Sequence, residues 1–524
     1  MTAYQWFVFF LIVQLIHGLG TWKLYEKAGR KSWEAFIPVY NAIVLMKIIN
    51  RPTWWTFLLF IPVINLIMFP VVWIETLRSF GKNTTTDTIL GIATFGLYIY
   101  YINYTQNVSY IQDRSTVATT KTGDTVSSLL FAIVVATFVH TYFIQPFTIP
   151  SASLEKSLLI GDFLFVSKFN YGARTPMTAV AAPMVHDTLP LLNVKSYLPK
   201  PQLPYFRFPG FEKIKNNDIV VFNWPADTLY NMYKDTDIRY DKPIDKKTNY
   251  VKRCVGIAGD SLQVKNGIVF INGKELILPE RAKPQYSYNI GLDGKTNIDF
   301  EYLLKSMDIT DGAGFKSELR DTLFIQALTF ENAERLKNVP GITSVIRVIN
   351  KGPENGIFPN FKNKPQSVVN NWSADNFGPI YIPQEGKTVA IDSKILPFYK
   401  KIIGEYERND LKVVGNDIFI NDKKATTYTF KQNYYWMMGD NRHNSLDARF
   451  FGYTPADHIV GKPIFIWMSW DTHGKGFNKI RWNRLFTTVN GEGQPQSYFQ
   501  YFLIALALYF GLDYFLKKRR ENKE

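Results

Sequence analysis

The sequence predicts a membrane-anchored, mainly-β protein, in which transmembrane α-helices hold an antiparallel β-sheet domain that contains an inserted cap region. Two observations predict this fold class. First, five apolar stretches have close to the ~20 residues that a helical membrane span needs. Second, the chain between the fourth and the fifth stretch is dominated by short alternating runs of apolar and polar residues, which are typical of strands. The five stretches cover about residues 4–20, 54–76, 87–104, 127–145 and 498–516.

The N-terminal region, residues 1–104, is predicted to form a multi-span membrane module. No basic region precedes its first apolar stretch, so we interpret that stretch as an anchor rather than as a cleaved signal. The segment 33–49 is apolar but short, and it could be a span, an interfacial helix or a re-entrant segment. The sequence indicates no function for this module.

The distribution of Lys and Arg predicts the orientation, because cytoplasmic loops are enriched in these residues. Basic residues are concentrated at 23–31, just before 127–145, and in the tail 517–524 that follows the last span. With these segments in the cytoplasm, the helices at 127–145 and 498–516 hold residues 146–497 on the outer side of the membrane.

The composition excludes several functional classes. The formal net charge of +15 is spread along the chain, which fits membrane anchoring better than binding of nucleic acid. A single cysteine, Cys254, excludes an intrachain disulfide. None of the six histidines is paired at zinc-ligand spacing, and no Gly-rich phosphate loop occurs. We therefore expect no cofactor, no metal and no nucleic-acid partner.

The outer segment is predicted to be one β-domain with an insertion. Strand patterns cover 218–224, 261–277 and 411–426, and Asn-Gly or Gly-Asn turns interrupt the last two. Between them lies an irregular region at about 283–367, which we interpret as an insertion. Within it the run "TFENAERLKNVPG" predicts a helix with Thr329 as its N-cap.

The stretch "IPSASLEKSLLIGD" contains a Ser-x-x-Lys pair, Ser153 and Lys156, of the kind found in penicillin-binding proteins. Such a pair needs a helix to bring the two side chains together. Pro150 precedes the serine and a strand pattern follows it, so there is room for a short turn only. Penicillin-binding proteins also need a K-T-G motif downstream of the serine. The only K-T-G in this sequence lies upstream, at residues 121–123, on the predicted cytoplasmic side. We therefore expect Lys156 to be solvated.

A second lysine is a better candidate base. The run "NYVKRCVGIAGD" (249–260) reads as a strand that places Tyr250, Lys252 and Cys254 on one face. At its ordinary pKa only about one lysine in 10³ is neutral at pH 7, but burial can lower the pKa by up to ~3–5 units. The alternative, which the strand pattern alone leaves open, is an exposed strand lysine.

A third stretch decides how these residues are interpreted. The polar loop "MMGDNRHNSLDARFFG" (437–452) follows an aromatic run. Taken in order, "PSASLEKSLLIGDFLFVSKFNYG", "DIVVF", "YVKRCVGIAGD", "FGPIYIP" and "GDNRHNSLDARFFG" resemble the conserved boxes of the type I signal peptidases, which are membrane-bound Ser/Lys proteases of bacteria. The resemblance covers most of residues 127–470.

The resemblance implies a site. Ser153 would be the nucleophile and Lys252 the general base, while Ser151 and the backbone N–H of Ser153 would form the oxyanion hole. Ser445 would orient the lysine amine. Asp447 and Arg449 would brace their loop. The residues implied to line the substrate pockets are Phe147, Ile149, Leu154, Tyr250 and Val251.

The resemblance also implies a function: a serine endopeptidase that removes N-terminal signal peptides after small residues at −1 and −3. The implied partners are the signal peptides of secreted preproteins, the lipid bilayer and the secretion channel. The implied location is the bacterial inner membrane, with several spans and the catalytic domain on the periplasmic side. The alternative is a catalytically inactive relative that binds exported chains.

The sequence departs from the family pattern at several positions. Leu154 replaces the common Met after the nucleophile, Lys156-Ser157 replaces Pro-Thr, Ala258 replaces Pro, and His443 stands where Asp is common. His443 is a rival base, but we expect a loop histidine to be solvated. None of these changes removes a group implied in catalysis.

Overall fold

The computed structural model describes residues 1–118, 120–230, 239–359, 371–471, 474 and 476–521. Residues 360–367 of the predicted insertion and 522–524 of the predicted tail therefore lie outside the described residues. The helices are α1 Ala3–Lys27, α2 Tyr40–Ile48, α3 Trp55–Leu58, α4 Ile64–Ser79, α5 Thr85–Ala93, α6 Tyr98–Thr105, α7 Lys121–Tyr142, α8 Phe300–Ser306, α9 Phe330–Leu336, α10 Leu396–Lys401, α11 Ala448–Phe451 and α12 Phe499–Glu521.

The strands up to the end of the inserted region are β1 Ile144–Thr148, β2 Asp162–Ser167, β3 Ile219–Asn223, β4 Asn249–Gly256, β5 Ser261–Lys265, β6 Ile268–Ile271, β7 Lys274–Glu275, β8 Gln285–Leu292, β9 Ala313–Phe315, β10 Thr322–Thr329 and β11 Ile342–Arg347. The later strands are β12 Phe377–Tyr381, β13 Thr388–Ala390, β14 Leu411–Val414, β15 Asp417–Ile420, β16 Lys423–Lys424, β17 Thr427–Thr429, β18 Tyr434–Met438, β19 Thr454–Pro455, β20 Ile459–Ser469 and β21 Thr487–Thr488.

The chain folds into two compact units. The first comprises Met1–Ile144, Ala173–Phe208 and Thr228–Lys247, and the second comprises Gln145–Gly172, Pro209–Asp227 and Thr248–Glu524. Two segments of the predicted outer domain, 173–208 and 228–247, thus belong with the N-terminal helices. These segments group with the N-terminal helices through contacts between residues far apart in sequence, which a local sequence pattern does not predict.

Three of the five predicted spans are single long helices. Among the described residues, α1, α7 and α12 are the helices long and apolar enough to cross a membrane. The prediction of a single helix was wrong for the stretches 54–76 and 87–104, because each of them forms two shorter helices.

The two breaks have local causes. Between α3 and α4, Pro62 lacks a backbone N–H and Val63 takes a positive φ of 71°. Between α5 and α6, Phe95 and Gly96 both take positive φ. A Cβ on Gly96 would lie 2.7 Å from the Trp73 ring, so glycine is needed there for space as well as for backbone conformation. Hydropathy averages over such turns and does not detect them.

The second unit is built on an eight-stranded sheet, which confirms the predicted antiparallel β-fold. The strand order is β1-β2-β20-β3-β4-β18-β19, with β21 paired to β20. The pairs from β2 to β19 are antiparallel. Strand β4 is central, with β3 on one side and β18 on the other. Side chains on its two faces are therefore covered by separate apolar clusters.

Smaller sheets surround this one, and they include both predicted hairpin regions. The run 261–277 forms β5, β6 and β7, and the run 411–426 forms β14, β15 and β16. Within the predicted insertion, four strands in the order β11-β8-β10-β9 form a sheet with its own apolar cluster. The Thr329 side chain accepts a hydrogen bond from the Asn332 N–H at 3.2 Å, which confirms the predicted cap of α9.

Candidate active site

The segment that carries Ser153 is a short 3-10 turn between β1 and β2. It spans Ala152–Leu154, and Leu154 is buried in the apolar cluster that also contains Ile149 and Leu158. The prediction of a short turn rather than a helix is confirmed. The turn holds Ser153 half-buried at the edge of the cluster, with its hydroxyl free to meet a group from β4.

Lys252 is that group. It extends from β4, and its Nζ lies 2.5 Å from Ser153 Oγ. The residue is only 4% exposed, so the alternative of an exposed strand lysine is wrong. Burial lowers the pKa of Lys252 to about 8, although nearby Asp447 and Asp440 act in the opposite direction. At that pKa about one tenth of the amine is neutral at pH 7, compared with about one in 10³ at its ordinary pKa.

The neighbours of Lys252 on its face of β4 follow the strand alternation. The Tyr250 ring centre lies 5.4 Å from the lysine Nζ, and Cys254 is fully buried. Tyr250 also stacks on Trp224, with ring centres 5.0 Å apart. Apolar and aromatic surfaces thus replace water around the amine, which is the physical cause of the lowered pKa.

The loop at 437–452 is bonded directly to the Ser153 turn. The Asn441 N–H donates to the Ser153 carbonyl at 3.1 Å, and its side-chain amide donates to the Ala152 carbonyl at 3.2 Å. Gly439 lies in the same contact, where an added Cβ would come within 2.5 Å of the Ser153 carbonyl oxygen. Asn441 was missed as a site residue, although it belongs to the G-D-N run of the quoted box.

Two buried ion pairs hold this loop. Arg449 binds Asp447 through two hydrogen bonds of 2.9 and 2.8 Å, and Asp447 also accepts from the Gly439 N–H at 3.1 Å. Arg253 binds Asp440 through two bonds of 2.8 and 2.6 Å. Burial would raise the pKa of Asp447, but Arg449 outweighs that effect and holds it below its ordinary value. Both carboxylates therefore stay charged and already have an arginine partner.

Comparison with known proteins gives the family. The sequence model of a family described as "Signal peptidase, peptidase S26" matches residues 122–317 and 381–470, which is more than half of the chain. The chain belongs to this signal peptidase family. A second model, of a family of unknown function named DUF5684, matches residues 33–113 in the N-terminal region.

Individual signal peptidases are similar over about two thirds of the chain. "Signal peptidase I" of Buchnera aphidicola (subspecies Acyrthosiphon pisum) is 26% identical over 358 residues, covering 68% of this chain and 78% of the relative. Those of Haemophilus influenzae and Helicobacter pylori strain 26695 are each 23% identical. They cover 69% and 70% of this chain, and 74% and 92% of their own lengths.

In this signal peptidase, the residues predicted to line the pockets lie in two apolar clusters, one on each face of β4. Phe147 and Val251 pack half-buried against the cluster that contains Ile149 and Leu154, whereas Tyr250 lies on the opposite face with Lys252. Alternation along the strand causes this separation. The pocket roles of all five residues stay predictions.

The structure treats the two predicted helper serines differently. Ser151 is exposed and extended (φ −136°, ψ 156°), two residues before Ser153. The Ser445 hydroxyl is buried and, within the described part of the chain, has no hydrogen-bond partner. The expected bond from Ser445 to the Lys252 amine is therefore not formed here, and the roles of Ser445 and Ser151 stay predictions.

Two residues that we expected to be solvated are not. The Lys156 side chain is 13% exposed, and its Nζ lies 2.6 Å from the Asp308 carboxylate. The His443 ring accepts from the Ser287 N–H at 3.0 Å, and its other nitrogen lies 3.0 Å from Asp375. The partners come from the inserted region or just after it, far away in sequence. The local pattern around each residue gave no signal of them.

Among the residues that the structure describes, no group of three His, Cys, Asp or Glu side chains could hold a metal ion. The chemistry that the site can support rests on the hydroxyl of Ser153, the amine of Lys252 and the backbone around them.

Proposed function

We propose that this signal peptidase cleaves with Ser153 as nucleophile and Lys252 as general base, after small residues at −1 and −3 of the signal peptide. Family membership makes the chain a hydrolase that removes signal peptides; the dyad and the specificity are the proposal. The observation that carries it is the 2.5 Å contact between Ser153 Oγ and the Nζ of a lysine that is 4% exposed.

The chemistry has two steps. In the first, the neutral Lys252 amine takes the Ser153 proton as Oγ attacks the scissile carbonyl. The resulting ammonium then gives that proton to the leaving amine, which releases the mature protein and leaves an acyl ester on Ser153. In the second step, the amine takes a proton from water as the oxygen of that water attacks the ester. The ammonium then returns the proton to Ser153 Oγ as the ester bond breaks, so the signal peptide departs and both the serine and the neutral lysine are restored.

The negative charge that develops on the carbonyl oxygen must be stabilised by hydrogen-bond donors. We assign these to the backbone N–H of Ser153 and the hydroxyl of Ser151, which is exposed beside it and free to rotate toward the substrate. One such donor contributes about 3–4 kcal/mol to lowering a barrier of this kind. We assign to Ser445 the role of orienting the Lys252 amine, which requires its side chain to turn toward Nζ. Asp447 and Arg449 brace that loop.

The specificity proposal rests on the apolar cluster beside the turn. Ile149 and Leu154 are buried there, with Phe147 and Val251 at its margin and Tyr250 across the strand. A shallow apolar surface made of such side chains accepts alanine-sized groups and excludes larger ones. The substrates would be signal peptides of secreted preproteins, delivered at the membrane beside the secretion channel.

We propose the membrane topology from the apolar helices and from the distribution of Lys and Arg. Helices at 127–145 and 498–516 would cross the bacterial inner membrane, with 146–497 on the periplasmic side and the basic tail 517–524 in the cytoplasm. Residues 1–104 would add further membrane-embedded helices. Protease digestion of intact spheroplasts that carry a C-terminal tag tests this: the outer segment should be degraded while a small tagged fragment survives. Loss of the tag with protection of the outer segment would invert the topology.

The decisive experiment uses the full-length protein in lipid with a synthetic precursor that has Ala-x-Ala before the cut. Cleavage after the second Ala is expected, and its absence in Ser153→Ala is the control. A precursor with Leu at −1 should stay intact. A wild-type protein that binds the precursor but never cuts it would instead support the inactive-relative alternative.

A further inference from the structure

Residues 174–207 form a long antiparallel arm in the first unit. Its two sides are joined by bridges at Arg174–Arg207, Thr178–Gln202, Ala181–Tyr197 and Thr188–Lys195. In sequence the arm lies between β2 and β3, and neither the family boxes nor the strand patterns assign it a role. Its root, residues 205–208 with the sequence Tyr-Phe-Arg-Phe, is the part that concerns us.

The root of the arm lies at the ends of two candidate membrane helices. The Trp6 indole N–H, near the start of α1, donates to the Gln202 carbonyl at 2.9 Å. The ring of Tyr142, the last residue of α7, meets the Phe208 ring edge to face, with ring centres 6.2 Å apart. The start of α1 and the end of α7 are therefore on the same side of the unit, with the end of α7 at the root and the start of α1 at Gln202, three residues before it.

Three aromatic side chains at the root are exposed. Tyr205, Phe206 and Phe208 have 44%, 52% and 46% of their surface accessible. The rings of Phe206 and Phe208 pack edge to face at 5.0 Å, and Arg207 Nε donates to the Tyr205 hydroxyl at 2.9 Å. The root is thus an ordered aromatic patch that carries a guanidinium.

The aromatic patch lies beside the ends of two candidate membrane helices, and this position indicates its environment. Aromatic rings with a polar edge are enriched where a membrane span leaves the hydrocarbon, since the rings leave water there while polar groups stay hydrated. A basic residue among them favours anionic headgroups. A contiguous exposed aromatic patch beside two span ends therefore has the lipid interface as its nearest apolar environment.

We propose that the root of the arm, residues 205–208, lies in the headgroup region of the outer leaflet and anchors the arm to the bilayer. This inference rests on the proposed topology, in which α1 and α7 cross the membrane. It gives the segment between β2 and β3 a function that is distinct from catalysis, namely attachment of the arm to the lipid surface.

The sole cysteine makes a direct test possible. Cys254 is fully buried, and burial raises the pKa of its thiol, so it reacts slowly with thiol reagents. An NBD fluorophore would therefore label an introduced cysteine selectively. The test variant is Phe206→Cys, and the matched control is Leu319→Cys, an 84% exposed apolar position in the inserted region.

Both labelled full-length proteins would be reconstituted in vesicles of phosphatidylethanolamine and phosphatidylglycerol. For the Phe206 probe we expect blue-shifted emission, quenching by a headgroup-attached nitroxide, and protection from aqueous iodide. The Leu319 probe should show the opposite behaviour. Equal iodide quenching of the two probes would overturn the proposal. It would mean that the patch faces water or awaits a protein partner that the vesicles lack.

A second readout separates this proposal from the catalytic one. Replacing Tyr205, Phe206 and Phe208 together with Ser should raise KM severalfold for a membrane-inserted precursor and leave cleavage of a short soluble peptide unchanged. Equal loss on both substrates would mean that the root serves the fold rather than the membrane. Failure of the dyad proposal would instead appear as unchanged cleavage in Ser153→Ala, with the probe response intact.

Discussion

Two lysines close to Ser153 have opposite surroundings. Lys156 is three residues from the serine along the chain, yet its amine lies on Asp308. Lys252 is 99 residues from the serine, yet its amine lies on Ser153 Oγ. The turn geometry sends the near lysine away from the hydroxyl, because Lys156 takes a left-handed backbone conformation with φ of 69°. Spacing in sequence therefore does not identify the base.

The electrostatics of the two lysines differ for a specific reason. Lys156 has a carboxylate partner of its own, Asp308. The two carboxylates near Lys252 are each bound by an arginine, Asp447 by Arg449 and Asp440 by Arg253. With those charges largely satisfied, desolvation dominates at Lys252 and lowers the pKa of its amine. Lys252 is therefore a candidate base because the carboxylates of Asp447 and Asp440 are already paired with arginines.

The sharpest test of the comparison removes each participant of the proposed dyad. Ser153→Ala and Lys252→Ala should each lower kcat by about 10⁶-fold, the loss found when the nucleophile or base of a serine protease is removed. Lys252→Arg should be equally inactive, because a guanidinium does not deprotonate in proteins. Precursor cleavage in lipid vesicles measures this, with circular dichroism as the folding control. An active Lys252→Ala enzyme would remove Lys252 from the mechanism.

A smaller loss is expected when the contact between the turn and the loop is disturbed. In Gly439→Ala the new Cβ would lie 2.2 Å from Ser445 Oγ and 2.5 Å from the Ser153 carbonyl oxygen, so one segment must move. A displacement near 1 Å at reacting atoms costs about 10²-fold in rate. The measurement is kcat on the synthetic precursor, compared with Gly352→Ala, an exposed glycine without a positive φ and with no atom within 4 Å of the added Cβ. Equal activities of the two variants would show that the contact is not needed.

The pH profile distinguishes a buried lysine base from an ordinary one. In the proposed mechanism Lys252 acts only when neutral, and burial lowers its pKa to about 8, below the ordinary 10.5. Activity should therefore rise with pH, levelling off above about 8 and falling about tenfold per pH unit below that value. The observable is kcat/KM of the purified enzyme between pH 6 and 10. A profile that levels off near pH 6.5 would point to histidine, and His443 would be tested next.

The near lysine should matter little to the rate. Lys156→Ala breaks an ion pair with a carboxylate that is 75% exposed, and such pairs contribute about 0–1 kcal/mol. We expect activity within about fivefold of wild type, since 1 kcal/mol corresponds to roughly that factor. Lys156→Arg serves as the control that keeps the pair. A loss comparable with that of Lys252→Ala would reverse the assignment of the two lysines.

Chelators should have the smallest effect. No step of the proposed mechanism uses a metal, so incubation with EDTA should leave the cleavage rate unchanged. The comparison is the same assay after dialysis and after addition of Zn²⁺. Loss with EDTA that Zn²⁺ restores would contradict a mechanism based on Ser153 and Lys252 alone.

Local patterns were sufficient where the cause of a structure is local. The alternation around Lys252 predicted its strand and the face that it shares with Tyr250 and Cys254. Pro150 and the strand that follows predicted the short turn at Ser153. The cap at Thr329 followed from its hydroxyl and the helical pattern after it. In each case, neighbours within a few residues determine the geometry.

Local patterns failed where distant segments meet. Nothing near Lys156 or His443 indicates that Asp308 and Asp375 will reach them, so both were wrongly expected in solvent. The arm at 174–207 has no strand alternation, and its place with the N-terminal helices depends on contacts such as that of Trp6 with Gln202. Hydropathy gave the lengths of the apolar stretches at 54–76 and 87–104 but not the turns inside them.

The hydrogen bonds around Ser153 also bear on how the protein is made. Asn441, which holds the turn through the Ala152 carbonyl, lies 289 residues after Ala152. At roughly 5–20 residues per second, the ribosome needs about 15 to 60 seconds to get from one to the other. A growing chain therefore displays its serine long before the loop that fixes it exists. The hydrogen bonds between this loop and the Ser153 turn can form only after the chain has been made as far as Asn441.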